Sequence, residues 1–221
     1  GYCAVGQTPH LLLEEGLESG ATPPGWSHAG TGDTWAASTT RVHEGTYAFH
    51  ATDPATVSEQ YLYTPPIVLP SDEFPLALQF WNHQTIEDSS ATACYDGALI
   101  DISTDGGTTW TQLDSELLTD PYNGPISTSF SNPRGGDNAW CGDPQDWLNS
   151  VVDLNAFAGQ TIQLRFGMTS DSSVSREGWY VDEVLVQSCV SATTPGLLEG
   201  TVTDQDTNLP LAGANIAVSN V

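Results

Sequence analysis

The chain has no lysine. Its only basic residues are Arg41, Arg134, Arg165 and Arg176. Set against 28 acids, they leave a formal net charge of -24 on 221 residues. A polyanion of this kind repels nucleic acid and anionic membrane, so neither is an expected partner. No apolar run approaches the roughly 20 residues that a membrane-spanning helix needs, so no membrane insertion is expected. The opening Gly1-Tyr2-Cys3 is not a signal peptide and reads as the start of a mature or trimmed chain.

Catalytic motifs are missing as well. There is no HExxH, and the five histidines (His10, His28, His43, His50 and His83) are scattered, with no pair at i, i+4. There is no GxSxG nucleophile elbow. Carboxylates are so numerous that no glycosidase dyad stands out. The expectation is a non-catalytic protein.

Cysteine is sparse. Cys3, Cys94, Cys141 and Cys189 form no CxxC, and no histidine lies at a zinc-ligand distance from them. An even, dispersed set in an acidic chain rich in Ser, Thr and Gly reads as two disulfides in an oxidising compartment, secreted or at the cell surface. Three pairings are possible. Cys3 and Cys189 flank the first and last expected strands, which favours Cys3–Cys189 and leaves Cys94–Cys141 to join two loops.

A sustained 3.6-residue apolar period is also absent, so no long helix is expected. What the chain has is strand pattern. Apolar or alternating runs occur at Leu11–Leu13, Tyr47–Phe49, Tyr61–Tyr63, Leu76–Trp81, Ala98–Ile102, Val151–Leu154, Thr161–Phe166 and Tyr180–Val186. Gly, Pro, Asn and Asp clusters separate them. Many short strands with polar turns make an all-β sandwich or barrel. Two stretches, 87–93 and 119–146, lack strand signals and read as long loops where binding can reside. Trp140 and Tyr122 within the second stretch, and Trp147 directly after it, are the candidate ligand-binding aromatics, able to stack on sugar rings of a glycan. Trp26, Trp81, Trp110 and Trp179 read as core or hairpin packing.

After Cys189 the composition changes. A sandwich over 1–190 is followed by a linker at 191–197 and a new β pattern over 198–221, in which Ala214, Ile216 and Val218 alternate. Two strands and a turn cannot form a core of their own. The expectation is that this C-terminal β extension packs back on its own sandwich or adds strands to a neighbouring copy, giving self-association and filaments. Asp204-Gln205-Asp206-Thr207-Asn208 opens like an EF-hand loop, but position six is Leu209 rather than Gly, so it reads as a turn.

Three segments carry a family resemblance. They are Leu17-Glu18-Ser19-Gly20 with Pro23-Pro24-Gly25-Trp26; Asp96-Gly97 through Ser103-Thr104-Asp105-Gly106-Gly107-Thr108-Thr109-Trp110; and Gly159-Gln160-Thr161 to Phe166, closing at Gly178-Trp179-Tyr180-Val181-Asp182-Glu183-Val184. Together they resemble the bacterial extracellular MAM-like jelly-roll domains, accessory modules of secreted metallopeptidases and surface proteins. The tail from Gly200 resembles the first half of a carboxypeptidase-regulatory-like β domain. The resemblance implies a jelly-roll β-sandwich with a calcium ion joining its first strand to its last. It maps acidic ligands onto Glu18 and Asp182, with backbone oxygens from the turn at His43 and Glu44. The residues themselves point the same way: Asp182 lies inside an apolar strand, where a carboxylate is costly unless paired with a cation or metal. Pairing with Arg165 or Arg176, or exposure to solvent, would be the alternative. Ser103–Trp110 also matches the Asp-box of sialidase propellers. It occurs once, so it reads as a hairpin device rather than a propeller blade.

Overall fold

The computed structural model describes residues 2–191 and 201–210. Gly1–Ser191 forms one compact unit and Ala192–Val221 a second. In chain order the first unit runs β1 (Gln7–Glu15), β2 (Ser27–Thr31), β3 (Ala36–Ser38), β4 (Ala48–Asp53), β5 (Ser58–Tyr63), β6 (Ile67–Val68), β7 (Leu76–Thr85) and β8 (Asp88–Ser90). It continues with β9 (Ala93–Cys94), β10 (Gly97–Ser103), β11 (Thr111–Gln112), β12 (Gly124–Pro125), β13 (Asn138–Ala139), β14 (Leu148–Asp153), β15 (Thr161–Ser170) and β16 (Arg176–Ser191).

Two six-stranded sheets make the sandwich. One has the order β14-β7-β16-β4-β3, with β1 also paired to β16; the other has the order β11-β10-β15-β5-β2, with β6 paired to β15. Every named pairing is antiparallel. Strand alternation explains the core. Leu76, Leu78 and Phe80 of β7, Leu164 and Phe166 of β15, and Trp179 and Val181 of β16 pack inward, all fully buried. Phe80 sits edge-on to Phe166 and Trp140 at ring distances of 5.3 and 5.9 Å. The structure is thus nearly all β, a sandwich, as its alternating runs predict.

The stretches 87–93 and 119–146 depart from the expectation of bare loops. They hold two small hairpins, β8–β9 and β12–β13. These strands are two or three residues long, too short for any alternation to register in sequence. The exposed edge strand β2 is likewise invisible to a hydrophobic pattern.

The two disulfides are Cys3–Cys189, with Cα atoms 5.5 Å apart, and Cys94–Cys141, with Cα atoms 5.7 Å apart. The first joins the N-terminal segment to β16. The second ties β9 to the segment after β13.

The Ser103–Trp110 segment is a hairpin device between β10 and β11. The Asp105 carboxylate accepts the Thr108 and Thr109 amides at 3.0 and 2.9 Å and the Thr109 hydroxyl at 2.6 Å. These bonds, led by the Thr109 hydroxyl, pull its pKa down to about 2. In the second unit, Asp204 accepts the Asp206 and Thr207 amides at 3.0 and 2.8 Å, which makes this segment a turn. The expected alternating strand at Ala214–Val218 and the linker at 192–197 lie outside the described residues.

Closing a long loop removes entropy from the unfolded chain, so the Cys94–Cys141 bond should matter even though it lies at the sandwich rim. Replacing both residues (Cys94→Ala with Cys141→Ala) should lower the unfolding free energy by about 2–4 kcal/mol in urea titrations.

Candidate functional site

The longest strand, β16, organises the site. From Gly178 to Ser188 one side pairs with β7. On its other side it pairs first with β4, up to Val181↔Phe49, and then with β1, from Val184↔Glu15. At the handover it bulges: the register shifts between Asp182 and Leu185, and Glu183 takes a left-handed φ of 49°. The bulge resets the alternation, so Trp179 and Val181 face the core before it and Val184 and Val186 after it.

The cross-strand register fixes the outer face. Asp182 opposes Trp81, Tyr180 opposes both His83 and His50, and Asn149 opposes Trp81. Tyr180 and Asp182 therefore point away from the core, not into it as a simple alternation through Val184 requires. Asp182 is nevertheless only 1% exposed, because the 43–46 turn fills the gap between β4 and β1 and lies over it.

That turn also answers how Asp182 is compensated. Its carboxylate accepts the amides of His43 at 2.8 Å, Glu44 at 3.3 Å and Glu183 at 2.8 Å. Neither Arg165 nor Arg176 is its partner: the Arg165 guanidinium binds Asp101 at 2.8 Å, together with Arg134. Burial still pushes the Asp182 carboxyl above the ordinary carboxylate range, and the amides work against it. Glu18 does the same job one turn along, accepting the Thr46 amide at 3.0–3.1 Å. Gly45 has a left-handed φ of 76°, which favours glycine, and a Cβ there would displace the Glu18 carboxylate from the Thr46 amide.

Glu18, Glu44 and Asp182, three of the four residues expected around calcium, line one cavity of about 460 Å³. Glu14, Glu15 and Glu183 join them. His43 sits at its edge, with its Nδ1 bonded to the Glu183 carboxylate. The far wall is Trp81, with Gln79 and Asn149 beside it. The arrangement gathers hydrogen-bond acceptors beside the Trp81 side chain.

Trp81 begins a continuous aromatic strip. The His43 ring stacks on it at 3.8 Å, and Trp147 packs edge-on against both His43 and His83 at 5.7 Å. Tyr180 follows, 6.3 Å from His83 and stacked on His50 at 4.1 Å. Burial holds His50 and His83 below the ordinary histidine range. Arg41 forms a bidentate pair with Glu177 at 2.8 and 2.7 Å at this end of the strip.

The other predicted aromatics are elsewhere. Trp140 is 1% exposed, its Nε1 donates to the Asp120 carbonyl at 2.8 Å, and its ring packs on Tyr122 and Trp179. The Tyr122 hydroxyl donates to the Leu113 carbonyl and accepts the Ile100 amide, and its ring packs against the core. Neither can serve as a platform for a ligand: the 119–146 segment folds these rings inward onto the sandwich core. Trp147 is half-exposed and remains available. Trp81, read from sequence as packing, belongs to the site instead. The signal was present, since Leu76, Leu78 and Phe80 are the inward set of β7 and Trp81 falls in the outward one.

No protein-family model matches the chain. It is similar to Bacillopeptidase F of Bacillus subtilis, 28% identical over 172 residues, which is 74% of this chain and 10% of that protein. It is also similar to the pre-pro-metalloprotease PrtV of Vibrio cholerae, 35% identical over 82 residues, 37% of this chain and 9% of that protein. The chain thus matches about a tenth of the length of these curated relatives. In fold it resembles the K3 cleaved adhesin domain of Lys-gingipain from Porphyromonas gingivalis W83, with a TM-score of 0.51 at 17% identity, over 81% of this chain and 99% of that one. It also resembles TmCBM61, solved in complex with beta-1,4-galactotriose, with a TM-score of 0.50 at 14% identity, over 80% of this chain and 97% of that one. These likenesses establish the β-sandwich fold.

The two tryptophans should separate cleanly in stability. Trp140→Ala should cost about 3–5 kcal/mol, whereas Trp147→Ala should stay within about 1 kcal/mol, both read from urea unfolding. Asp182→Ala, which strands three amides over the bulge, should cost about 2–3 kcal/mol in the same assay.

Proposed function

We propose that the chain is a non-catalytic extracellular binding module of a larger secreted protein, and that its ligand is a neutral, hydroxyl-rich glycan. One observation carries this reading: a half-exposed tryptophan, Trp81, lines a cavity that also carries six carboxylates and the side-chain amides of Gln79 and Asn149. A pyranose needs an apolar face to stack on and acceptors for its hydroxyls, and this cavity supplies both. The strip through His43 and Trp147 extends the apolar surface beyond one sugar ring. The net charge of -24 disfavours polyanionic glycans and selects a neutral chain. Similarity to a segment of two much longer proteases supports the accessory role, as does a sandwich fold shared with adhesin and carbohydrate-binding modules. Two disulfides support an oxidising, extracellular compartment.

Calcium belongs to the same proposal. The cavity's donors are hard carboxylate oxygens in excess, which suits this ion. Glu18 and Glu44 would hold it, and it would neutralise the acids around the Trp81 wall. Asp182, already bonded to three amides, orients the 43–46 turn.

Affinity electrophoresis against a panel of neutral polysaccharides tests the reading. At least one should retard the protein, and Trp81→Ala or Trp147→Ala should weaken that retardation at least tenfold, about 1.4 kcal/mol. Unaltered retardation of both variants, or retardation by anionic polysaccharides alone, would contradict it.

A further inference from the structure

A second acidic cluster lies where strand ends from both sheets meet. Asp53 ends β4 and Glu87 follows β7, both in the first sheet. Asp96 precedes β10 and Asp171 follows β15, both in the second. Asp53, Asp96 and Asp171 are each no more than 2% exposed.

The hydrogen bonds leave these carboxylates half-used. Asp53 accepts the Glu87 amide through Oδ2 at 3.0 Å, while its Oδ1 is buried without a partner. Asp96 accepts the Asp171 amide through Oδ1 at 2.5 Å, while its Oδ2 is buried without a partner. Glu87 Oε2 is likewise buried and unpartnered. Asp171 accepts the Ser173 amide through Oδ1 at 2.8 Å. Backbone amides thus hold one oxygen of each aspartate and leave others free. Glu87, Asp96 and Asp171 each bring a carboxylate oxygen within 4.8 Å of the other two. Oxygens on a shared calcium, each about 2.3–2.6 Å from the ion, can be no more than about 5 Å apart.

We propose that Glu87, Asp96 and Asp171, with Asp53 beside them, form a calcium site that fastens the two sheets together at this end of the sandwich. Unpaired buried carboxylates are among the most costly groups a fold can carry. No arginine meets them: Arg134 and Arg165 are committed to Asp101, and Arg41 to Glu177. Arg176 approaches Asp53 without an ion pair, and its side chain reaches only the Ser175 carbonyl, at 3.3 Å. A cation from solution would supply the charge that these unpaired oxygens lack. An all-carboxylate protein cage suits calcium better than magnesium, which keeps its waters and demands tighter geometry. The site also reaches the long 119–146 segment. Asn132 donates to the Tyr95 carbonyl at 3.1 Å and to Asp96 Oδ1 at 3.5 Å, so the ion would anchor that segment's base.

The test is calcium titration of chelator-treated protein by calorimetry, with heat unfolding in parallel. Wild type should bind an ion that raises its melting temperature, and equal magnesium should give a small fraction of the shift. Asp96→Asn with Asp171→Asn, made in a Glu18→Gln, Glu44→Gln background so that the other cavity contributes nothing, should weaken that binding at least a hundredfold, while the Glu18→Gln, Glu44→Gln background alone should retain it. An unchanged melting point of wild type with calcium, an equal response to magnesium, or wild-type affinity in the first variant would overturn the proposal. Should that variant fail to fold, amide exchange on wild type decides. Calcium should slow exchange at 86–97 and 169–173, and no change there would overturn the assignment.

Discussion

Charge supply is the constraint on which this structure depends. The chain holds 28 carboxylates and four guanidiniums, and folding buries several of the carboxylates. Arginine is concentrated where it does most. Asp101, 1% exposed, receives Arg134 in a bidentate pair and Arg165 as well, and the Arg165 guanidinium also lies 3.8 Å over the Tyr61 ring. Such a buried pair is retained only when nearly every donor and acceptor is satisfied. With most of the arginine spent there and on Glu177, the other buried acids must find positive potential elsewhere.

They find it in the backbone. Asp182 takes three amides, Glu18 one, Asp53 and Asp96 one each. The β16 bulge and the left-handed Gly45 are the conformational means by which amides of the 43–46 turn are brought to two of these carboxylates. The same bulge turns Tyr180 and Asp182 onto the outer face, and that face carries the aromatic strip. Local strain, charge compensation and the candidate binding surface are thus consequences of one handover between β4 and β1 along a single strand. Where amides run out, at the Asp53–Asp96–Asp171 corner, buried oxygens remain without partners.

Much of the fold was legible because period-2 alternation is strong wherever a strand has one buried face. Leu76–Phe80 and Ile162–Phe166 announce both sheets. Asp182 announced itself too, as a carboxylate in an apolar run. Its compensation did not, since backbone amides leave no mark in a sequence. Trp140 and Trp147 lie seven residues apart in a segment without pattern, yet one is buried and the other half-exposed. Only tertiary packing decides which, Trp140 against Tyr122 and Trp179 and Trp147 against His43 and His83. The Asp53, Glu87, Asp96 and Asp171 cluster was hidden for a different reason. Its members are over a hundred residues apart at the extremes and are brought together by sheet topology, among so many acids that no spacing singles them out.

A crystal structure grown with calcium, with anomalous differences collected at long wavelength, tests the central claim most directly: that buried carboxylates beyond the reach of arginine and amides are balanced by a bound cation. The account predicts an anomalous peak bounded by Glu87, Asp96 and Asp171. A map with no peak there, and with the Asp53 and Asp96 carboxyls bonded to one another through a shared proton, would contradict it.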